Sequence, residues 1–128
     1  ALLMGEDRRT LLKALPMAMQ ATDLLAAQAE LKNIHVSAAL IDYIQALAAA
    51  SRQNGMFVEG LSPRATIALL QAARAWAALE GRNHVIPEDV QAVLVPVTAH
   101  RLRSVKAGSA SALGSRDLVL QLMRSVSV

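Results

Sequence analysis

Residues 62–81 constrain the fold most strongly, because they carry both a start signal and a stop signal for one long helix. Ser62 is a favoured N-cap residue, and Pro63 stands in the first turn, where its missing N–H group is not needed. Ala, Leu, Gln and Arg, which are strong helix formers, dominate the residues that follow. Gly81 suits the left-handed conformation that closes many helices. The predicted buried face of this helix consists of Leu69, Ala72, Ala73 and Trp76.

The composition favours helices over sheets. Hydrophobic residues make up 54% of the 128 residues, yet only three residues are aromatic. The core must therefore consist mainly of Leu, Ala, Ile, Val and Met, and small or unbranched apolar side chains favour closely packed helices. We predict an all-α bundle of about five helices, with at most a very short two-stranded β ladder. The length fits one domain.

Turn and capping residues predict where the other helices begin and end. The helix starting near Gly5 is expected to stop at Pro16, and the helix starting at Ser37 ends at Asn54–Gly55. Pro96 is expected to kink or break the helix that starts at Pro87. The predicted starts of all these helices are Gly5, Thr22, Ser37, Pro87 and Ser115.

Helical spacing groups the apolar residues of these helices. We predict an apolar edge at Leu24, Leu25, Gln28 and Leu31, a core-facing stripe at Leu40, Ile41, Ile44, Leu47 and Ala48, and a last short helix that carries Leu118, Leu120, Leu122 and Met123. Between helices, Val85–Ile86 is predicted to pair with Val36, and Phe57 and Val58 to pack down from their loop.

Arg64 is out of place in the first turn of the long helix. The helix dipole leaves that end partly positive, so a cation there is mildly disfavoured unless an anion is also bound. Guanidinium stays charged and its planar fork matches phosphate oxygens, while a helix N-terminus adds N–H donors. From the residues alone, the alternative is an exposed arginine or one that pairs with Glu59.

Four motifs, in a fixed order, resemble the helical lid domain of MoxR-type AAA+ ATPases. Gly-x-Ser-Pro-Arg-Ala at residues 60–65 opens the long helix, which ends in Ala-Leu-x-Gly-Arg. Val-Ile-Pro-Glu-Asp-Val follows at residues 85–90, and His-Arg-Leu at residues 100–102. The resemblance covers most of the chain, over residues 24–102. The sequence departs from the family pattern at Ala38, Leu61 and Ile86. Ile86 replaces a capping threonine, which should cost about 1 kcal/mol of local helix stability.

The resemblance implies a nucleotide role for Arg64. In AAA+ ATPases the matching arginine is the sensor-2 residue, which reaches from the lid to the γ-phosphate of ATP held by the adjoining Walker domain. The implied catalytic residue is thus Arg64, and the implied nucleotide-binding residues are Ser62, Pro63 and Arg64. The implied cofactor is ATP, with Mg²⁺ bound by the core domain rather than by this chain.

The same resemblance implies partners and a class of work. Family members are chaperone-like motors that help to mature partner proteins or insert metal into them. Their lids work with an N-terminal AAA+ core domain and with neighbouring subunits of a ring that is usually hexameric. Many act beside a partner with a von Willebrand A domain.

The sequence lacks the phosphate-binding loop that ATP hydrolysis needs. No Gly-x-x-x-x-Gly-Lys-Ser/Thr run occurs in it. We therefore expect this chain alone to be inactive towards ATP and to be a fragment of a longer protein. Residues 1–15 are then predicted to lead in from the ATPase core, residues 16–103 to form the lid, residues 104–114 a linker, and residues 115–128 a C-terminal helix.

A second interpretation is a free-standing helical module that binds DNA or an acidic protein through Arg101, Arg103 and Lys106. The net charge of +3 permits an anionic partner. Aromatic residues that could stack on bases are not interleaved with this cluster, so nucleic acid is the less favoured partner. Salt-dependent binding by this chain alone would favour the module, and an upstream Walker domain would favour the lid.

Spacing predicts no metal site. His35, His84 and His100 are far apart in sequence, with no His-x-x-x-His pair and no carboxylate at ligand spacing. His35 and His84 flank the short extended elements, where we expect them to pack. The chain has no cysteine, and no apolar run reaches the roughly 20 residues that span a bilayer. We expect a cytoplasmic protein.

Overall fold

The computed structural model describes residue 12 and residues 14–105 and 114–127, and this part of the chain forms five α-helices. The predicted all-α class is confirmed. Most of the helix predicted over residues 5–15 and most of the predicted linker fall outside the described residues. The helices are α1 (Ala21–Glu30), α2 (Ala38–Gln53), α3 (Pro63–Leu79), α4 (Pro87–Thr98) and α5 (Ser115–Arg124), with a 3₁₀ turn at Leu31–Asn33 after α1.

Helix α3 is the centre of the bundle and packs most extensively against α4. Its buried residues recur at every fourth position, so that one i±4 ridge made mostly of small side chains faces the core. These residues are Ala65, Leu69, Ala73 and Ala77. Leu69 and Ala73 confirm the prediction, but Trp76 is 40% exposed, so its predicted burial is wrong. The ridge turns the indole to the edge of the packed surface.

Both predicted ends of α3 are confirmed. Ser62 Oγ accepts a hydrogen bond from the N–H of Ala65 at 3.2 Å. At the other end, the N–H of Arg82 bonds to the carbonyl oxygen of Ala77 at 2.9 Å, and the N–H of Gly81 to that of Ala78 at 3.0 Å. These two bonds make a Schellman motif, which requires a left-handed residue, and Gly81 has φ +72°.

Helix α2 supplies the second wall of the core. Ser37 caps it as predicted, with its Oγ 3.2 Å from the N–H of Leu40. The predicted stripe is confirmed except at Ile41, which is 40% exposed, because Tyr43 takes its place on the buried face. The buried residues are Leu40, Tyr43, Ile44, Leu47, Ala48 and Ser51.

Helix α1 lies open to solvent, so its predicted apolar edge is not covered by the described part of the chain. Its N-cap is Gln20 rather than Thr22, and the carboxylate of Asp23 accepts the N–H of Gln20 at 3.1 Å. None of its residues is buried, and Leu24 and Leu25 are 51% and 64% exposed. The reason is its position, since α1 contacts α3 only through the 3₁₀ turn that follows it.

Two isolated backbone pairings join the connections between helices. His35 pairs in parallel with His84, so the predicted partner, Val36, is wrong by one residue. Phe57 pairs with Ser104 in the antiparallel sense. Phe57 is buried as predicted, but Val58 points outward and is 59% exposed. Within the described residues, neither pairing extends into a β ladder of more than one bridge.

Helix α4 runs through Pro96, so the interruption predicted at that residue is wrong, but the helix ends at Thr98 and the predicted break before Leu102 is confirmed. Because Pro96 has no N–H, the carbonyl oxygen of Ala92 loses its usual i→i−4 donor, and the helix ends two residues later. Helix α5 packs on α2 and α4 through Leu118, Val119 and Leu122. Of the apolar residues predicted for this helix, Leu118 and Leu122 are buried and Leu120 is only half-buried, and Val119, which was not among them, is also buried.

A bidentate ion pair fixes the connection between α3 and α4. Arg82 Nη1 and Nη2 lie 2.6 and 2.5 Å from the two carboxylate oxygens of Asp89, which is only 1% exposed. The hydrogen bonds from Arg82 hold the pKa of Asp89 below its ordinary value, although burial opposes this shift. The same hydrogen bonds raise the pKa of Arg82. Asp89 also accepts the N–H of Ile86 at 2.9 Å, so that amide is satisfied although Ile86 offers no side-chain cap.

We expect Asp89→Asn to lower the free energy of unfolding by about 1.5–3 kcal/mol at neutral pH, the usual contribution of hydrogen bonds to a charged group. Because the folded pKa of Asp89 is lowered, this stability is complete above its unfolded pKa of about 3.9 and disappears as the pH falls through the folded pKa. Urea denaturation of both proteins across this range should show the difference narrowing in acid. Glu88→Gln, at an exposed neighbouring position, is the control. An equal difference at every pH would contradict this role for Asp89.

Candidate functional site

The N-terminus of α3 presents Arg64 to solvent. Arg64 is the second residue of the helix, and its side chain is exposed. It forms no ion pair with any described residue, so the alternative of a pair with Glu59 is not formed. The cap uses the N–H of Ala65, and the N–H of Thr66 bonds to the carbonyl of Ser62 at 3.0 Å. The N–H of Arg64 has no acceptor among the described residues, so this residue offers two kinds of donor.

Two side chains of α2 hold the loop that precedes Arg64. Ser51 Oγ accepts the N–H of Leu61 at 2.8 Å and donates to the carbonyl oxygen of Ala48 at 2.7 Å. Arg52 Nη1 donates to the carbonyl oxygen of Leu61 at 2.8 Å. Ser51 and Leu61 are both buried. Both backbone groups of Leu61 are therefore fixed, one residue before the N-cap of α3.

Gly60 allows the loop to approach α2 this closely. A Cβ atom at this position would lie 2.8 Å from both the Cα and the backbone N of Arg52, and closer still to its Cγ. Real Cβ atoms essentially never come so close to a backbone. The glycine of the Gly-x-Ser-Pro-Arg-Ala motif is thus a packing requirement, which the motif alone does not reveal.

The other end of the same loop is anchored to the chain that follows α4. The N–H of Val58 bonds to the carbonyl oxygen of Arg103 at 2.8 Å, and that of Val105 to the carbonyl oxygen of Met56 at 3.1 Å. Phe57, which is buried, stands between Met56 and Val58 in sequence. The loop is therefore held at both ends, and this limits the positions that Arg64 can take.

The remaining candidate residues lie elsewhere. Arg101 and Arg103 are exposed after α4, and Lys106 lies outside the described residues. The Nε–H of Arg101 donates to His100 Nε2 at 3.1 Å. Within the described residues, no group of three or more His, Cys, Asp or Glu could hold a metal ion. In the same part of the chain, no helix is both long and apolar enough to cross a membrane.

An apolar groove runs between α1 and the C-terminal half of α3. One wall of the groove is the exposed helix α1, and the other includes Leu79, which is 82% exposed at the end of α3. Its lining also includes Glu30 and the polar residues Gln28, Asn33 and Asn83, but no lysine or arginine. The groove has a volume of about 590 Å³, and its apolar lining includes Leu24, Ala27, Leu31, Ile34, Ala75, Ala78 and Leu79.

Comparison with known proteins places this fold in a family. The family model described as the AAA lid domain matches residues 49–121, which is more than half of the chain. The chain therefore belongs to the AAA lid domain family. Within that family it is a lid of the MoxR type, as the relatives below show.

Three relatives carry this assignment. The chain is 33% identical over 115 residues to "Chaperone MoxR1" of Mycobacterium tuberculosis, a match that covers 83% of this chain and 30% of that protein. It is 60% identical over 43 residues to "Protein MoxR" of Paracoccus denitrificans, covering 34% of this chain and 13% of that protein. A solved structure from Cytophaga hutchinsonii, provisionally assigned as an ATPase, superposes with a TM-score of 0.75 at 27% identity. That match covers 83% of this chain and 35% of the solved one. The chain thus spans about a third of the length of the chaperone and the solved structure.

We expect Gly60→Ala to lower the free energy of unfolding by about 1–3 kcal/mol, because the added methyl group overpacks the contact with α2. Denaturation in urea measures this change. Gly114→Ala is a matched control, since its Cβ would meet only Asp117 Oδ2, at an ordinary 3.6 Å. The control should change the free energy by less than about 1 kcal/mol. Equal effects of the two substitutions would show that the approach to α2 is not tight.

Proposed function

We propose that this chain is the lid of a MoxR-like AAA+ ATPase and that it closes over ATP bound to an upstream Walker domain. In this proposal residues 16–103 form the lid, which residues 1–15 join to the ATPase core, and residues 104–114 lead to a C-terminal helix over residues 115–128. Arg64 is the sensor-2 residue and contacts the γ-phosphate. The carrying observation is an exposed arginine without an ion-pair partner among the described residues, at the N-terminus of the central helix of an AAA lid.

The chemistry of this position suits a transferring phosphoryl group. Guanidinium keeps its charge at any relevant pH, and its fork can contact two phosphate oxygens at once. The free N–H of Arg64 and the helix dipole favour the same anion. A cation at this helix end is mildly disfavoured when no anion is bound, but it is favourable once a phosphate binds there. A donor positioned in this way stabilises the charge that builds up on the phosphoryl oxygens in the transition state. Ser62 and Pro63 set the helix start that presents these donors.

The hydrogen bonds that hold the loop before α3 support a role in which the position of the Arg64 side chain matters. Electrostatic stabilisation works best when the donor is already in place, because little reorganisation is then needed during the reaction. The hydrogen bonds of Ser51 and Arg52 to Leu61 fix the backbone just before α3. Movement of the lid as a rigid body would therefore carry Arg64 with it. In this way the lid would report the nucleotide state to the ring.

The work that this closure drives is chaperone-like. We propose that ATP hydrolysis in a ring of such subunits remodels or matures partner proteins, among them one with a von Willebrand A domain. The name of the Mycobacterium tuberculosis relative supports a chaperone role. Mg²⁺ would be held by residues of the core domain.

We expect Arg64→Ala, made in the intact polypeptide that includes the Walker domain, to lower kcat for ATP hydrolysis by about 10²-fold or more, the scale for losing one charge-stabilising donor. A coupled phosphate-release assay measures the rate. Arg116→Ala, on the exposed start of α5, is the matched control and should leave the rate unchanged. Normal turnover by the Arg64 variant would exclude the sensor-2 role. A gene product without a Walker domain would exclude the lid function altogether.

We also propose that the chain's own core domain docks on the groove between α1 and α3. A largely apolar exposed surface of this kind, bordered by polar residues such as Glu30 and Asn33, is typical of an interface. The groove is formed by α1, the first described helix, so a core domain placed upstream in sequence would connect directly to it.

Leu79→Ser tests this docking, because it replaces the most exposed leucine of the groove with a polar residue. In the intact protein we expect weaker contact between core and lid, seen as faster proteolysis of the connection in the presence of ATP. The same substitution in this chain alone should leave its stability unchanged to within about 0.5 kcal/mol, since an exposed side chain contributes little. Ile67→Ser, at an exposed position of α3 outside the groove, is the control. Unchanged proteolysis would count against docking at this surface.

A further inference from the structure

The pairing of two short connections brings together two histidines that lie far apart in sequence. The N–H of His35 bonds to the carbonyl oxygen of Asn83 at 2.8 Å, and the N–H of Val85 bonds to the carbonyl oxygen of His35 at 2.9 Å. In this parallel pattern His35 and His84 are direct neighbours, and their side chains leave the same face of the pair. Both histidines are exposed, and both line one surface depression of about 350 Å³.

Each imidazole has a nitrogen atom free to bind a ligand. His84 Nδ1 lies 3.1 Å from Asn83 Oδ1, and since an amide oxygen only accepts, this contact favours the tautomer with the proton on Nδ1. The lone pair of His84 Nε2 is then available, held in one tautomer by a hydrogen bond like those that orient metal-binding histidines. The ring of His35 forms no hydrogen bond with any described residue.

We propose that His35 and His84 together bind one divalent transition-metal ion, with Zn²⁺ as the test case. Two Zn–N bonds of about 2.0–2.1 Å require the ring nitrogens to lie within about 4 Å of each other. Neighbouring strands are about 4.8 Å apart, so two rings on one face need only lean slightly together. Neutral imidazoles suit Zn²⁺, Ni²⁺ and Cu²⁺, whereas Mg²⁺ and Ca²⁺ require oxygen ligands.

The surroundings define an open site with two protein ligands. The rest of the depression is largely apolar and carries no carboxylate, so water completes the coordination. The carboxylate of Asp89 is engaged by Arg82 and is not available to the metal. A bound ion would join the connection between α1 and α2 to the connection between α3 and α4. It would thereby stabilise the folded bundle in proportion to its occupancy, independently of the ATP role of Arg64.

The chain contains only three histidines, which makes the test direct. Zn²⁺ is titrated into the protein while the ring Cε1–H signals are followed by NMR and the heat is followed by calorimetry. We expect one ion per chain, with the signals of His35 and His84 shifting together and that of His100 unchanged. His100 is a built-in control, because its Nε2 already accepts from Arg101.

Substitutions then assign the ligands. His35→Gln and His84→Gln should each weaken Zn²⁺ binding at least tenfold. Removing even an outer-shell partner of a metal ligand typically costs about 10–100-fold in affinity, so removing a ligand itself should cost no less. His100→Gln should leave the affinity unchanged, and the unperturbed core signals of each variant show that it is folded. Saturating Zn²⁺ should raise the melting temperature of the original protein but not that of the double variant His35→Gln/His84→Gln. Equal shifts at all three histidines, or full affinity after either single substitution, would overturn the proposal.

Discussion

Close packing along the small-residue ridge of α3 is the constraint on which the rest of the structure depends. Ala65, Ala73 and Ala77 are almost fully buried, and their small side chains let α4 and α2 approach the axis of α3. A bulkier side chain at these positions would separate the helices and leave gaps that the aliphatic core could not fill. The position of each loop at the two ends of α3 follows from this arrangement.

Each end of α3 is then fixed by polar contacts that only the packed bundle can form. At the N-terminal end, Ser51 and Arg52 hold both backbone groups of Leu61. At the C-terminal end, Arg82 forms an ion pair with the buried carboxylate of Asp89 and so fixes the start of α4. Hydrogen bonds of buried groups are costly to break without replacement, so these contacts hold α3 in place at both of its ends. Arg64 is exposed, but the backbone that carries it is rigid.

The sequence alone nominates the residues of the candidate site but not the contacts that hold them in place. Ser62, Pro63 and Arg64 could be read directly, because a cap, a first-turn proline and a misplaced cation are local signals. Ser51 and Arg52 could not, since a serine and an arginine near the end of an amphipathic helix resemble solvent-facing residues. The glycine at Gly60 was the one available signal, but only the fold shows which backbone it must approach.

The sequence by itself determined the helical class, the starts of α2, α3 and α4, and the glycine stop after α3, because capping and helix propensity act within a few residues. Tertiary structure decided which faces were buried, leaving Trp76 at an edge and α1 open to solvent. It also decided the partners of Asp89 and the meeting of His35 with His84. Those contacts depend on how whole helices pack. No local pattern encodes them, because the groups that meet are separated in sequence and are brought together only when the bundle forms.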